Sequence, residues 1–410
     1  MPDHYKQTAI EPDGPTVVTE SVDGVRSVSL GLWVRVGTRD ENPEQHGISH
    51  FVEHAVFKGT TSRDRFDIAN SLESLGGSLD AFTSRDVTCY HARCLDEHLE
   101  IGLDVLADLV QNATFEPAEI EKERRVILEE IQSVEDTPED LIHDLFAKSV
   151  WGRHPVGAPI LGTSESVQAI DCDALARFTG EHYRPGNVII TAAGNLDHER
   201  VVDSVRAKFQ GAELADDVLS RSQPKHAPKS YQHYHRDIGQ THYCLGTTSW
   251  SYVHPRQYDL LVANAVLGGG MTSRLFQEIR EKRGLAYSVY SYVETLEDTG
   301  LFSTYMACDR SRLKEAADVV WSELIALKES GITQTELSSA KAQLKGELIL
   351  GAESMSHRMS NLAYDEMYLQ RYLPLEQTLQ EIENVTLDGV WNACQTMHDE
   401  SRMHQVTVGP

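Results

Sequence analysis

The chain has 410 residues, enough for two domains of ordinary size, and 40% of them are hydrophobic, enough for sizeable cores. Its formal net charge of −26 excludes a nucleic-acid partner, because phosphates need a basic surface. No apolar run reaches the ~18 residues that a membrane span needs, so no membrane partner is expected. The opening MPDHYKQTAIEPDGP lacks a basic-then-apolar export pattern, which makes the cytoplasm the expected compartment. The acidity itself has two readings: a negative surface that keeps the protein soluble, as in a salt-adapted source, or a chamber that attracts basic peptides. The six cysteines (Cys89, Cys94, Cys172, Cys244, Cys308 and Cys394) form no C-x-x-C pair and read as buried free thiols.

In chain order, 16–21 and 28–37 read as strands, with Asp23-Gly24 as the turn between them. A mostly buried helix follows, HGISHFVEHAVFKGT, with Ile48, Phe51, Val52, Ala55, Val56 and Phe57 as its apolar residues. It contains His50-Phe51-Val52-Glu53-His54. Residues three or four apart share a helix face, so His50 and His54 can offer two imidazoles to one zinc ion, with Glu53 in reach of a bound water. A carboxylate there can act as general base. Two helical histidines are also compatible with ordinary packing, so a third ligand decides between the readings.

Residues 64–75 predict another helix, ended by Gly76-Gly77, and 78–94 (SLDAFTSRDVTCYHARC) alternates like a hairpin. Helices are predicted at 96–112, 117–135 and 138–150. The second is opened by Pro117 and carries the apolar stripe Ile120, Val126, Ile127, Ile131 and Val134. Glu123 and Glu130 lie two turns apart on one face of it. One can bind a metal and the other orient a ligating histidine, although acids on a helix are more often a solvated face. A turn-rich loop at 154–162, a strand at 187–193 and a helix at 197–209 complete the half.

Together these residues resemble the pitrilysin/insulinase family of zinc peptidases. The inverted H-x-x-E-H is the inverzincin signature, and a glutamate 76 residues after the second histidine (54 to 130) is similar to that family's pattern. The branch most resembled is that of the bacterial and archaeal proteases akin to mitochondrial processing peptidase. The resemblance implies Glu130 as third zinc ligand, Glu123 behind a ligating histidine, and one Zn²⁺ per chain. It also implies that Leu79, Asp80, Ala81, Phe82 and Thr83 form an exposed strand edge onto which substrate adds as a further strand. Asp80 stands where the family usually has asparagine, and a carboxylate can only accept hydrogen bonds.

Residues 211–230 lose periodicity and gain Pro, Ser and charge, so the expected organisation is 1–212, a catalytic domain; 213–230, a linker; and 231–410, a homologous domain without a metal site. Strands near 231–236 and 241–248 precede a helix at 255–267. The segment 298–349 repeats the strand, turn, long helix, break and long helix of 79–131, which predicts an α+β fold of two duplicated domains, each an antiparallel-rich sheet packed with helices. The run Gly268-Gly269-Gly270-Met271-Thr272-Ser273-Arg274-Leu275 lacks P-loop spacing and reads as a tight turn. It resembles the family's lead into an arginine and a tyrosine seven residues apart, here Arg280 and Tyr287, which the resemblance implies help hold substrate and polarise the scissile carbonyl. The expected function is a zinc endopeptidase cleaving unstructured peptides in a closed chamber, with Glu53 as base. A non-catalytic structural or assembly subunit of the same family is the alternative. Long members of the resembled family join two such pairs of domains in one chain, and its split heterodimers divide the two motifs between chains; with one pair here and both motifs on it, the resemblance implies a homodimer.

Overall fold

The structure, a computed structural model, describes residues 4–10, 14–209 and 221–410. The fold is α+β, in two compact units: Met1–Ile131 with Pro159–Arg221 and Leu350–Tyr372, and Gln132–Ala158 with Ser222–Ile349 and Leu373–Pro410. Residues 213–220 of the expected linker lie outside the described residues, and 221–229 carry neither helix nor strand.

The strands of the first unit are β1 (Tyr5–Ala9), β2 (Thr16–Ser21), β3 (Ser27–Val34), β4 (Ser78–Thr83), β5 (Thr88–Leu95) and β6 (Val188–Gly194), ordered β1-β2-β6-β3-β5-β4. The Asp23-Gly24 turn does not join a hairpin. Strand β6 enters between its two arms, parallel to β2 and antiparallel to β3. The second unit has β7 (Ser230–His235), β8 (Thr241–Ser249), β9 (Ala286–Thr295), β10 (Gly300–Cys308) and β11 (His404–Gly409), ordered β7-β11-β8-β10-β9.

The helices up to the middle of the chain are α1 (Ile48–Val56), α2 (Arg65–Glu73), α3 (Leu99–Asn112), α4 (Pro117–Asp136), α5 (Pro138–Trp151), α6 (Ser164–Ala169), α7 (Cys172–His182) and α8 (His198–Lys208). Then come α9 (Gln257–Gly268), α10 (Leu313–Ser330), α11 (Gln334–Gly351), α12 (Met355–Tyr364), α13 (Leu375–Glu383) and α14 (Leu387–Met397).

Strand β3, SVSLGLWV, is buried over seven of its eight positions, so its sheet needs cover on both faces. On one face Leu30 and Leu32 join Phe51 and Val52 of α1 and Leu103 and Leu106 of α3 in the main core. On the other, Trp33 packs with Met359, Leu362 and Ala363 of α12. The second unit repeats this. Leu245 and Phe302 face α9, α10 and α14, while Cys244, Tyr305 and Val406 face Ile142, Phe146 and Val150 of α5. Each sheet is therefore closed on its far face by a helix from the other half of the sequence, α12 in the first unit and α5 in the second. Such burial contributes about 1.5–3 kcal/mol per large apolar side chain. Five of the cysteines are buried and free, as expected, and Cys172 is partly exposed.

Candidate metal centre

Helix α1 forms because its apolar positions face the sheet, and this leaves His50, Glu53 and His54 directed away from the core interior. Helix α4 buries Ile120, Ile127 and Ile131 and, with them, Glu123. The Arg124 guanidinium lies over the Phe51 ring, 5.3 Å from its centroid, which brings α4 against α1. Val126, expected in the apolar stripe, is 50% exposed. The i, i+7 spacing puts Glu123 and Glu130 on the side facing the histidines, as the sequence predicted.

The Nε2 atoms of His50 and His54 lie 3.6 and 3.7 Å from Glu130 Oε2, and one ligand atom from each residue can be chosen so that all fall within 4.8 Å of one another. Among the described residues this is the one group of three or more His, Cys, Asp or Glu side chains so arranged. A tetrahedral zinc with bonds of about 2.0–2.2 Å separates its ligand atoms by roughly 3.3–3.5 Å. The observed spacing is a few tenths of an ångström wider, and two imidazoles with one carboxylate leave a coordination position for water. The residues fit zinc.

His54 Nδ1 lies 2.7 Å from Glu123 Oε1, and Glu123 Oε2 lies 2.7 Å from Lys58 Nζ. A carboxylate only accepts, so this contact assigns the proton of His54 to Nδ1 and turns the Nε2 lone pair to the centre. Burial works against the Glu123 carboxylate, but the His54 and Lys58 hydrogen bonds hold its pKa below the ordinary value. Burial, and then the neighbouring His54, push the His50 pKa down to about 3, so His50 stays neutral and able to ligate. Burial would also lower His54, but the Glu123 bond and the charges of Glu53, Glu123 and Glu130 raise it. Three carboxylates around two imidazoles and one ammonium make a pocket short of positive charge, which a divalent cation supplies.

Glu53 accepts a 2.6 Å hydrogen bond from the Thr83 hydroxyl. Burial raises its pKa, the Thr83 bond and His54 oppose, and Glu130 and Asp80 add to the rise. Strand β4, which carries Thr83, is the last strand of its sheet, so its outer backbone edge pairs with no strand among the described residues. Leu79 and Ala81 pack toward the main core. Phe82 meets Trp33 edge-on at 5.6 Å on the opposite face, and the Asp80 carboxylate accepts the Ala81 amide at 2.8 Å.

Arg280 and Tyr287 belong to the second unit. The chain widens into a π-helical turn at Phe276–Glu281, a distortion that often accompanies functional positions. The Arg280 guanidinium stands over the Phe276 ring at 4.7 Å and the Tyr287 ring at 4.4 Å. Tyr287 is the second residue of β9 and is 76% exposed. Sequence reading did not single out Lys58, Phe276 or the bond from Thr83 to Glu53. Lys58 had a signal, since it follows His54 by four residues, but α1 ends at Val56 and periodicity does not reach it.

The family sequence model described as Insulinase (Peptidase family M16) matches residues 16–164, and the one described as Peptidase M16 inactive domain matches 169–344. A Bacillus subtilis protein named an uncharacterized zinc protease is 40% identical over 92% of this chain and 92% of its own length. One of the same description from Streptomyces coelicolor is 39% identical over 92% of this chain and 84% of its own. Among solved structures, a protease from Helicobacter pylori superposes with a TM-score of 0.93 at 21% identity over 99% of both chains, which establishes the likeness of fold. The chain belongs to peptidase family M16. Its two matched regions correspond to that family's N-terminal domain and its so-called inactive domain. No described helix is long and apolar enough to cross a membrane.

Proposed function

We propose that the protein is a zinc-dependent endopeptidase acting on unstructured peptides. The observation that carries this reading is the convergence of His50 Nε2, His54 Nε2 and Glu130 Oε2, with Glu53 on the same helix. His50, His54 and Glu130 hold the zinc. When bound, zinc supplies an acidified water and polarises the carbonyl of the scissile bond. Glu53 takes the proton of the attacking water and delivers it to the leaving amine. Its raised pKa suits both halves of that exchange. The β4 edge takes the peptide as an added strand through main-chain hydrogen bonds, so the substrate must be extended and its sequence matters little. Arg280 and Tyr287 hold the substrate and stabilise the developing oxyanion. The protein acts as a homodimer, a state that analytical ultracentrifugation tests, with only monomer at micromolar concentration as the contrary result.

The intact Glu53 favours catalysis over a purely structural subunit, because zinc binding does not need it. The deciding experiment incubates an unstructured basic peptide with zinc-loaded wild type and Glu53→Gln and reads products by mass spectrometry. Wild type cleaves, and the variant keeps its zinc while its rate falls by about 10²–10⁴-fold. Equal rates would remove Glu53 from the mechanism. Silence in both, with zinc bound, would turn the reading to a non-catalytic subunit.

A further inference from the structure

The two zinc-binding histidines do not share the same support. His54 is held through its own ring by Glu123, whereas His50 Nδ1 is buried with no hydrogen-bond partner among the described residues. The direction of His50 is therefore set by the backbone of the first turn of α1, and that turn has an unusual cap. Its N-cap residue is Gly47, at φ +92°, with no side chain to offer. The orphan amides of the turn are taken instead by Glu41, six residues upstream. Glu41 Oε2 accepts the Gly47 amide at 2.8 Å and Glu41 Oε1 accepts the Ser49 amide at 2.8 Å, with His46 Nδ1 3.4 Å from Oε2. The Glu41 side chain is 0% exposed. A carboxylate wholly removed from water is costly unless its charge meets donors in good geometry, and a helix N-terminus provides them.

The same turn is gripped from a second side. A Cβ on Gly47 would lie 2.6 Å from the Leu161 carbonyl oxygen, and one on Gly162, at φ +76°, would strike the His46 carbonyl. The two backbones thus touch where neither residue tolerates a side chain. Beside them the Ser166 hydroxyl donates to the His46 carbonyl at 2.6 Å.

We propose that Glu41 is a positioning residue of the metal centre, its buried carboxylate clamping the first turn of α1 so that His50 Nε2 is held in place for the metal. This rests on the zinc reading of the centre. A rigid, pre-aimed ligand loses less freedom on binding, so the clamp acts on metal affinity as well as on fold stability.

The test measures the zinc dissociation constant by chelator competition in wild type, Glu41→Gln, Ser166→Ala and Leu324→Ala, the last a core truncation in α10 of the second unit. Hydrogen exchange of residues 47–52 is measured in the same proteins without metal. Glutamine keeps the shape but turns an NH₂ toward one of the two amides. The expected result is zinc affinity weakened by about 10-fold or more in Glu41→Gln, a smaller loss in Ser166→Ala, and faster exchange at 47–52 in both. Leu324→Ala lowers the melting temperature and changes neither zinc affinity nor that exchange. Wild-type zinc affinity in folded Glu41→Gln would overturn the proposal, and so would an equal loss in Leu324→Ala. If wild type binds no zinc, the zinc reading fails, and unchanged exchange at 47–52 in Glu41→Gln separately overturns the clamp.

Discussion

The two units use one plan for different ends. Each has a sheet whose last strand is the first arm of a hairpin, β4 beside β5 and β9 beside β10. Each covers one face with several helices and the other with one, α12 or α5. They part at the helix packed by the edge strand. In the first unit that helix is ISHFVEHAV, with two imidazoles and a carboxylate within two turns. In the second it is QYDLLVANAVLG, which has no histidine and buries its Asp259. The second unit instead has, at the start of the edge strand, the Arg280 guanidinium flanked by the Tyr287 and Phe276 rings. A handful of side chains on a common scaffold separates a unit whose residues fit a metal ion from one in which no such group is found among the described residues, so function here must be read from sites and not from fold.

The widest break in this comparison comes from removing a ligand on one side only. His54→Ala should lower zinc content, measured by elemental mass spectrometry, from about one per chain to near none, because it removes one of the three clustered ligand side chains. In the second unit His143, whose ring nitrogens lie 2.9 and 3.0 Å from the Tyr292 and Tyr290 hydroxyls, is equally embedded. His143→Ala should leave zinc content unchanged. Zinc lost from both while both stay folded would mean that the asymmetry between the units is not what it appears from the ligands.

A smaller effect tests whether the second unit takes part in the chemistry at all. Arg280→Met keeps the side chain's bulk between Phe276 and Tyr287 and removes its donors. Loss of an oxyanion donor lowers turnover by about 10²–10³-fold, with zinc affinity unaltered, and steady-state kinetics on one peptide would show it. A change confined to KM would make Arg280 a binding residue instead. Smaller again is Glu123→Gln, which keeps a hydrogen bond to His54 but loses the charge shared with Lys58. Zinc affinity should weaken by about 10–100-fold. A chelator titration giving the wild-type constant would remove Glu123 from any role behind His54.

Much of this was legible in the sequence because helices translate spacing into direction. The i, i+4 histidines and the i, i+7 glutamates meet as their periods require, and the alternation of 78–94 became the β4–β5 hairpin. The far-face helices were not legible, because α5 reads as an ordinary amphipathic helix and nothing local says which sheet it covers. Strand β6 between β2 and β3 was hidden for the same reason: pairing at long range is decided by which apolar faces remain open, not by neighbouring residues. Glu41 was invisible as a cap because a cap is normally sought at the residue before the helix, and here that residue is a glycine.

The mildest test concerns acid. His404 in β11 is fully buried, with its Nδ1 3.0 Å from the hydroxyls of Ser149 and Ser230 and its Nε2 3.2 Å from the Ala227 carbonyl. Burial, with the charge of His226, lowers its pKa, and the Ala227 carbonyl opposes without reversing the shift. The folded protein thus binds this proton less readily than the unfolded chain, whose histidine titrates near 6.5. Folding is favoured in full above about pH 6.5, and the contribution is lost as pH falls through that value toward the folded pKa. One such histidine steepens the fall by at most about 1.4 kcal/mol per pH unit. In the first unit His198, held between the Thr8 and Thr19 hydroxyls, is shifted the same way by burial, so both units should weaken together in mild acid. His404→Gln, with denaturant unfolding followed as pH is lowered, should be less stable than wild type at neutral pH and lose less on acidification. A pH slope identical to wild type would show that His404 is not among the groups that carry the acid response, and would leave that response to other histidines that burial shifts the same way, among them His198 of the first unit and His143, His242 and His398 of the second.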